Sequence, residues 1–155
     1  MAGKIQSEIQ QKKPIGHAAE EAALNIFRTY DVLIQELLTV LKPHGLSATQ
    51  YNVLRILRGA AGDGVCCKAI GDRLVTRDPD VTRLIDRLEK RGLLVRTRAR
   101  EDRRYVTIQL TRAGLEMVNS LDDPIRKMNR HSMRNLDAGE LHTLIGLLEQ
   151  VRTNF

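Results

Sequence analysis

The chain has no tryptophan, and aromatic residues make up only 3% of its 155 positions. A sandwich or barrel core leans on aromatic and β-branched side chains, so that class is disfavoured. Leu, Ile, Val and Ala must fill most of the interior, which suits packed helices. Cysteine is scarce too, with Cys66 and Cys67 adjacent to each other. They cannot staple distant parts of the fold, and a disulfide between neighbours is strained, so a reduced, cytoplasmic protein is expected. No apolar run is long enough to span a bilayer, so no membrane partner is expected. Residues 1–16 lack the apolar core of a signal peptide and read as a polar arm, disordered or frayed unless a partner subunit holds it. Gly-rich phosphate loops, nucleophile elbows and paired carboxylates are missing, which argues against an enzyme. The histidines, His17, His44, His131 and His142, are scattered without ligand spacing, so neither metal nor cofactor is expected.

What is present is basic charge, and it is localised. The formal net charge is +6. Lys68–Arg112 holds thirteen Lys and Arg against seven Asp and Glu, which is the whole of that excess. Such a segment favours a polyanionic partner.

Hydrophobic periodicity then orders the chain as a mainly α fold with one small β-hairpin. From about His17 to Lys42, Leu24, Phe27, Tyr30, Ile34, Leu37, Leu38 and Leu41 share a helical face, and Pro43 and Gly45 end it. Ser47 and Gln50 make a capping box for a second helix, whose buried side is Tyr51, Val53, Leu54, Ile56 and Leu57. A short helix over about Cys66–Leu74 follows. Asp78 reads as the N-cap of the next helix and Pro79 as its first residue. Val81, Leu84, Ile85 and Leu88 form its stripe, and Gly92 its left-handed stop. The period then changes to two: Leu94–Arg98 and Tyr105–Leu110 read as strands around a tip at Ala99–Arg104. Thr111 caps a helix that Pro124 interrupts or kinks, and Asp137 starts a last helix carrying Leu141, Leu144, Ile145, Leu148 and Val151. The outer helices carry more apolar surface than the central block can cover. They either pack on each other within one chain or pair with a second copy.

The chemistry-bearing candidates lie in the basic segment. With the stripe facing the core, Asp80, Thr82, Arg83, Asp86, Arg87 and Lys90 face outward. A helix fits the major groove, where Arg83 or Arg87 can present a bidentate fork to guanine and Thr82 can touch a thymine methyl. The same face would also serve as an ordinary solvated surface with pairs such as Asp86–Lys90. The hairpin adds Arg96, Arg98, Arg100, Arg103 and Arg104 within nine positions. Arginines so close repel one another unless an anion sits among them, and arginine enters narrow minor grooves. Asp102 is expected to pair with a neighbouring arginine and fix the tip. Candidate DNA contacts are Arg77, Asp80, Thr82, Arg83, Arg87, Arg98, Arg100, Arg103 and Arg104.

LSATQYNVLRIL from Leu46, VTRLIDRLEKRGLLVR from Val81 and EDRRYVTIQLTRAG from Glu101 together resemble the multiple-antibiotic-resistance regulator (MarR) family. The similarity spans roughly Phe27 to Val118. It implies a winged helix-turn-helix over 47–111 with a recognition helix at Pro79–Arg91 and a wing at Arg96–Arg104. It also implies dimerisation helices at 17–45 and 112–155, the two parts forming a single regulator domain over 17–155. By the same resemblance the chain is a homodimeric, duplex-DNA-binding transcription regulator and a ligand-responsive repressor. Its small phenolic or aromatic effector would sit between the dimerisation and DNA-binding parts, near Tyr30, Tyr51 and Arg55. Those three residues would equally serve as ordinary core and surface packing. Asp78-Pro79-Asp80 departs from the small polar residues usual in the family, and Asp80 is either an acceptor for cytosine N4 or a charge that weakens binding. Other readings of the fold are an oxidant-sensing regulator using Cys66 and Cys67, with thiols near a helix start, and a protein-interaction module with the wing as its dock.

Overall fold

The computed structural model describes residues 4–60, 62, 64–98 and 106–153. In chain order the helices are α1 (Lys4–Glu8), α2 (Ala18–Leu41), α3 (Ala48–Gly59), α4 (Cys67–Arg73) and α5 (Val81–Lys90). Strands β1 (Leu94–Arg98) and β2 (Val106–Leu110) follow, then α6 (Arg112–Ser120), α7 (Asp122–Ser132) and α8 (Ala138–Arg152). The fold is mainly α with a two-stranded antiparallel hairpin, paired from Leu94 with Leu110 to Arg98 with Val106. Val65 adds a lone bridge on the far side of Ile108, exchanging backbone hydrogen bonds of 3.0 and 2.9 Å.

Helix α3 is the centre of the block, packed against α2, α4, α5, α6 and β2. Its capping box forms as expected, with Ser47 accepting from the Gln50 amide and the Gln50 side chain accepting from Ser47 N. Val53 and Leu54 are fully buried, and they meet Ile70 of α4, Ile85 and Leu88 of α5, Ile108 of β2 and Val118 of α6 in one core. Gly92 adopts φ +70° and stops α5 as the sequence predicts. Beside it, Arg91 reaches back to donate to the carbonyls of Gly45 at 2.7 Å and His44 at 2.8 Å, in the turn between α2 and α3. Thr111 and Asp137 cap α6 and α8.

Two local readings need correction, and a third is narrowed. Asp78 does not cap α5. It accepts from the Asp80 amide at 2.8 Å in an Asx turn, Pro79 lies in that turn, and Asp80 is the N-cap, accepting from the Arg83 amide. Of the two readings for Pro124, interruption holds and a kink does not: α6 ends at Ser120, whose carbonyl an amide at position 124 would have bonded. The chain breaks at Leu121, and Pro124 is the third residue of α7, where a missing amide hydrogen is harmless. Residues 4–8 of the arm form a helical turn instead of an unordered segment: Ile5 is buried, α1 packs on α2, and Glu8 pairs with Arg28.

At the break between α6 and α7, Arg58 of α3 forms a bidentate pair with Asp122 at 2.8 and 3.0 Å and also donates to Asn119. The hydrogen bond from Arg58 holds the Asp122 carboxyl below its ordinary range. A depressed carboxylate stabilises the fold above its unfolded pKa and loses that contribution as pH falls through the folded value. The pair is partly solvent-screened, so Asp122→Asn is expected to lower stability by about 1 kcal/mol at neutral pH. The gap to the wild type should close below about pH 4 in thermal melts. A gap that widened on acidification would contradict this assignment.

Apolar side chains remain uncovered on the outer helices. Phe27 is 69% exposed and Tyr30 53%, and α8 buries none of its residues within the protomer although Ile145 and Leu147 lie on it.

Candidate nucleic-acid interface

Helix α5 has three sides. Leu84, Ile85 and Leu88 are buried in the core. Asp86 and Glu89 turn toward β1, where the Arg96 guanidinium sits between them, paired with both carboxylates. Glu89 also accepts from the Arg96 amide at 3.2 Å. Burial alone would pull the Arg96 pKa down, but the hydrogen bond to Asp86 and the Glu89 charge outweigh it and raise it. Thr82, Arg83, Arg87 and Lys90 form the third side and are exposed.

This arrangement replaces the Asp86–Lys90 pair considered from sequence. Because Arg96 takes up both acids, Arg87 and Lys90 form no ion pair among the described residues. Arg83, Arg87 and Lys90 follow at i, i+4 and i+7, which aligns them as one cationic stripe. At the head of the stripe, Asp80 accepts from the Arg83 amide through Oδ1 and pairs with Arg83 Nε through Oδ2 at 3.0 Å. Both Asp80 oxygens therefore face Arg83. Thr82 Oγ1 lies 3.8 Å from Cys67 Sγ, a contact between α5 and α4. Arg77 is exposed in the segment leading to α5, and Arg98 is exposed at the end of β1. Arg100, Asp102, Arg103 and Arg104 lie outside the described residues.

Tyr30, Tyr51 and Arg55 come together. They line one cavity of about 300 Å³ between α2, α3, α7 and the segment at Val75 and Thr76. Its apolar lining includes Leu33, Ile34, Ile125 and Met128. The Arg55 guanidinium lies 5.8 Å from the centre of the Tyr51 ring. Burial pushes the Tyr51 phenol up, so it stays neutral and able to donate. Asn52, also on the wall, accepts from the Val75 amide at 2.8 Å and so ties the cavity to the segment preceding α5. The sequence reading missed Asn52, Ile125, Met128 and Met133. No local pattern brings α7 to α3, since their distance in sequence is large and the contact is made by tertiary packing.

A short α4, a connecting turn, a cation-faced α5 and a following hairpin define a winged helix-turn-helix. A model of the MarR family matches residues 44–104. A MarR transcription factor from Planctomyces limnophilus is 43% identical, with 88% of this chain and 98% of that one covered and a TM-score of 0.67. A mutant MarR from Escherichia coli, solved in complex with operator DNA, is 27% identical over 81% of this chain and 89% of that one, with a TM-score of 0.73. The homoprotocatechuate degradative operon repressor of Escherichia coli is 27% identical over 85% of this chain and 81% of its own length. The chain belongs to the MarR family and is a transcription regulator. Among the described residues, no helix is long and apolar enough to cross a membrane.

Proposed function

We propose that the protein is a homodimeric repressor that binds a pseudo-palindromic duplex site, acting in the cytoplasm by binding and not by catalysis. Residues 47–111 serve as the DNA-binding unit, and 17–45 and 112–155 as the dimerisation helices. The observation that carries this reading is the cationic stripe Arg83, Arg87 and Lys90: Arg96 takes up Asp86 and Glu89, which leaves Arg87 and Lys90 without an ion pair among the described residues, and only Arg83 is partnered, by Asp80. In the major groove, Thr82, Arg83 and Arg87 read base edges. Arg77, Arg98 and the wing residues Arg100, Arg103 and Arg104 contact the backbone and minor groove. Asp80 takes the role of cap and partner to Arg83. The exposed apolar faces of α2 and α8 supply the self-complementary surface of a two-fold dimer, whose half-sites lie about 10 base pairs apart.

A salt series on DNA from beside its own gene tests this. Affinity should fall by about 0.9 log units per log unit of salt for each phosphate neutralised. Binding indifferent to salt would sink the reading. Arg96→Ala should lower affinity for every sequence by about tenfold or more, because it bares two carboxylates beside the backbone. Unchanged affinity in that variant would show that the pairing does not shape the DNA face.

The cavity at Tyr30, Tyr51 and Arg55 supports a small aromatic or phenolic effector: its walls are apolar, with a phenol donor and a guanidinium to fix orientation. The tie from Asn52 to Val75 gives such a ligand a route to α5. Footprints of upstream DNA with and without simple phenolic acids check this, and protection unmoved by any of them would remove the effector.

A further inference from the structure

Cys66 and Cys67 have no part in the reading above. Cys66 is the N-cap residue of α4, exposed, and its side chain makes no capping hydrogen bond. Cys67 is the first residue of α4 and half-buried, with Sγ beside Thr82 of α5. Both thiols are free. Joining them directly is unfavourable. Neighbours across a trans peptide have Cα atoms about 3.8 Å apart, short of the roughly 4.4–6.8 Å that unstrained disulfides span. No described peptide bond is cis. A single atom inserted between the sulfurs relieves that strain, because it widens the ring and lets the sulfurs stand farther apart.

We propose that Cys66 and Cys67 form a two-thiol capture site for a monosubstituted trivalent arsenical. Thiolates select soft, thiophilic centres. Among the described residues no group of three or more His, Cys, Asp and Glu could hold a metal ion, so the four ligands of a zinc site are not assembled. Two thiols match a centre with two exchangeable positions and a third held by carbon. Room for the organic substituent exists next to Cys66, in an open cleft of about 510 Å³ lined by Gly59, Ala60, Gly64, Val65, Ala69 and Arg73. Most of these described lining residues are small.

In the capture step the hydrated arsenical, with one carbon substituent and two hydroxyls on arsenic, meets two thiols. Two As–O bonds break and two As–S bonds form. Each thiol proton leaves with one hydroxyl as water, and arsenic stays trivalent, so no oxidant is needed. Drawing Cys67 Sγ toward Cys66 takes it from Thr82 and loosens the contact between α4 and α5. Weakened DNA binding is the expected outcome, and this last link rests on the proposed DNA reading.

The test uses the full-length protein with phenylarsine oxide as probe. Intact-mass measurement should find one phenylarsenic unit per chain, retained in excess glutathione and released by a dithiol. Cys66→Ser and Cys67→Ser, with melts confirming their fold, should each hold the probe about a hundredfold more weakly, because the second thiol no longer acts at high effective concentration. Two adducts per wild-type chain, or single variants that hold the probe as tightly as the wild type, would overturn the site. Full adduct with unchanged DNA affinity would overturn the link to Thr82. Untreated protein that binds no DNA would overturn the proposed function while the mass result still decides the site.

Discussion

Gly114→Ala is expected to destabilise the protein by about 3 kcal/mol or more, although alanine is the better helix former by about 1 kcal/mol. Gly114 is buried in the first turn of α6, where the helix crosses directly over the chain between α5 and β1. A Cβ there would overlap the carbonyl oxygen of Leu93, lie 2.9 Å from its carbonyl carbon and sit 3.2 Å from Leu110 Cδ2. The obstacle is backbone and cannot rotate away. Leu93 O also accepts from the Thr111 amide at 3.2 Å, and the Thr111 hydroxyl donates to Gly92 O at 2.6 Å while accepting from the Gly114 amide. Lifting α6 with its cap to admit a methyl group would pull apart both bonds that tie it to the chain at Gly92 and Leu93. The melting temperature should fall by roughly 10 °C at fixed protein concentration. A variant melting at or above the wild type would show that α6 can shift without loss.

Arg83→Ala should weaken binding to the preferred DNA site by about 1–3 kcal/mol, roughly 5- to 150-fold, and relax the base preference at one position of each half-site. Its side chain is 77% exposed and starts from a rigid place, held by Asp80 at the helix start. Arg87→Ala, one turn on, tests the same stripe without disturbing the cap. The companion variant Asp80→Asn separates the meanings of that carboxylate. Asparagine keeps the cap, so stability should change little, while removal of the charge should tighten binding to all sequences. Were Asp80 an acceptor for cytosine N4, Asp80→Asn would alter preference at that base instead. Competition binding with single-base variants of the site distinguishes the two. Arg83→Ala binding as tightly and as selectively as the wild type would remove this residue from the interface.

Local chemistry was readable where the partner residues lie within one turn and a single candidate competes for the role. The capping box of Ser47 and Gln50, the caps at Thr111 and Asp137 and the left-handed Gly92 each depend on contacts within a few positions, and each forms as the sequence suggests. The head of α5 was misread because two aspartates stand two apart and either can cap. Pro79 fits the first residue of a helix as well as the inside of a turn. Asp80 prevails because Asp78 is occupied by the Asp80 amide. Arg96 was counted with the wing arginines, since nothing in a linear pattern shows that Asp86 and Glu89 face it across the turn from helix to strand. Tyr30, Tyr51 and Arg55 were expected at one pocket by resemblance, but its α7 wall comes from tertiary packing alone. The helix at residues 4–8 is too short to show a period, and Ile5 is buried where α1 packs on α2.

The grip of Arg91 on the carbonyls of Gly45 and His44 has a kinetic meaning. The trailing end of α5 and the bend that joins α2 to α3 are fastened by one guanidinium, so opening either one alone breaks two hydrogen bonds to the other. Their amides, among them those of Leu46 and Arg91, should exchange with deuterium as a single cooperative unit. Arg91→Ala should split that unit in two, and a signal arriving along α2 would then no longer reach α5 by this path.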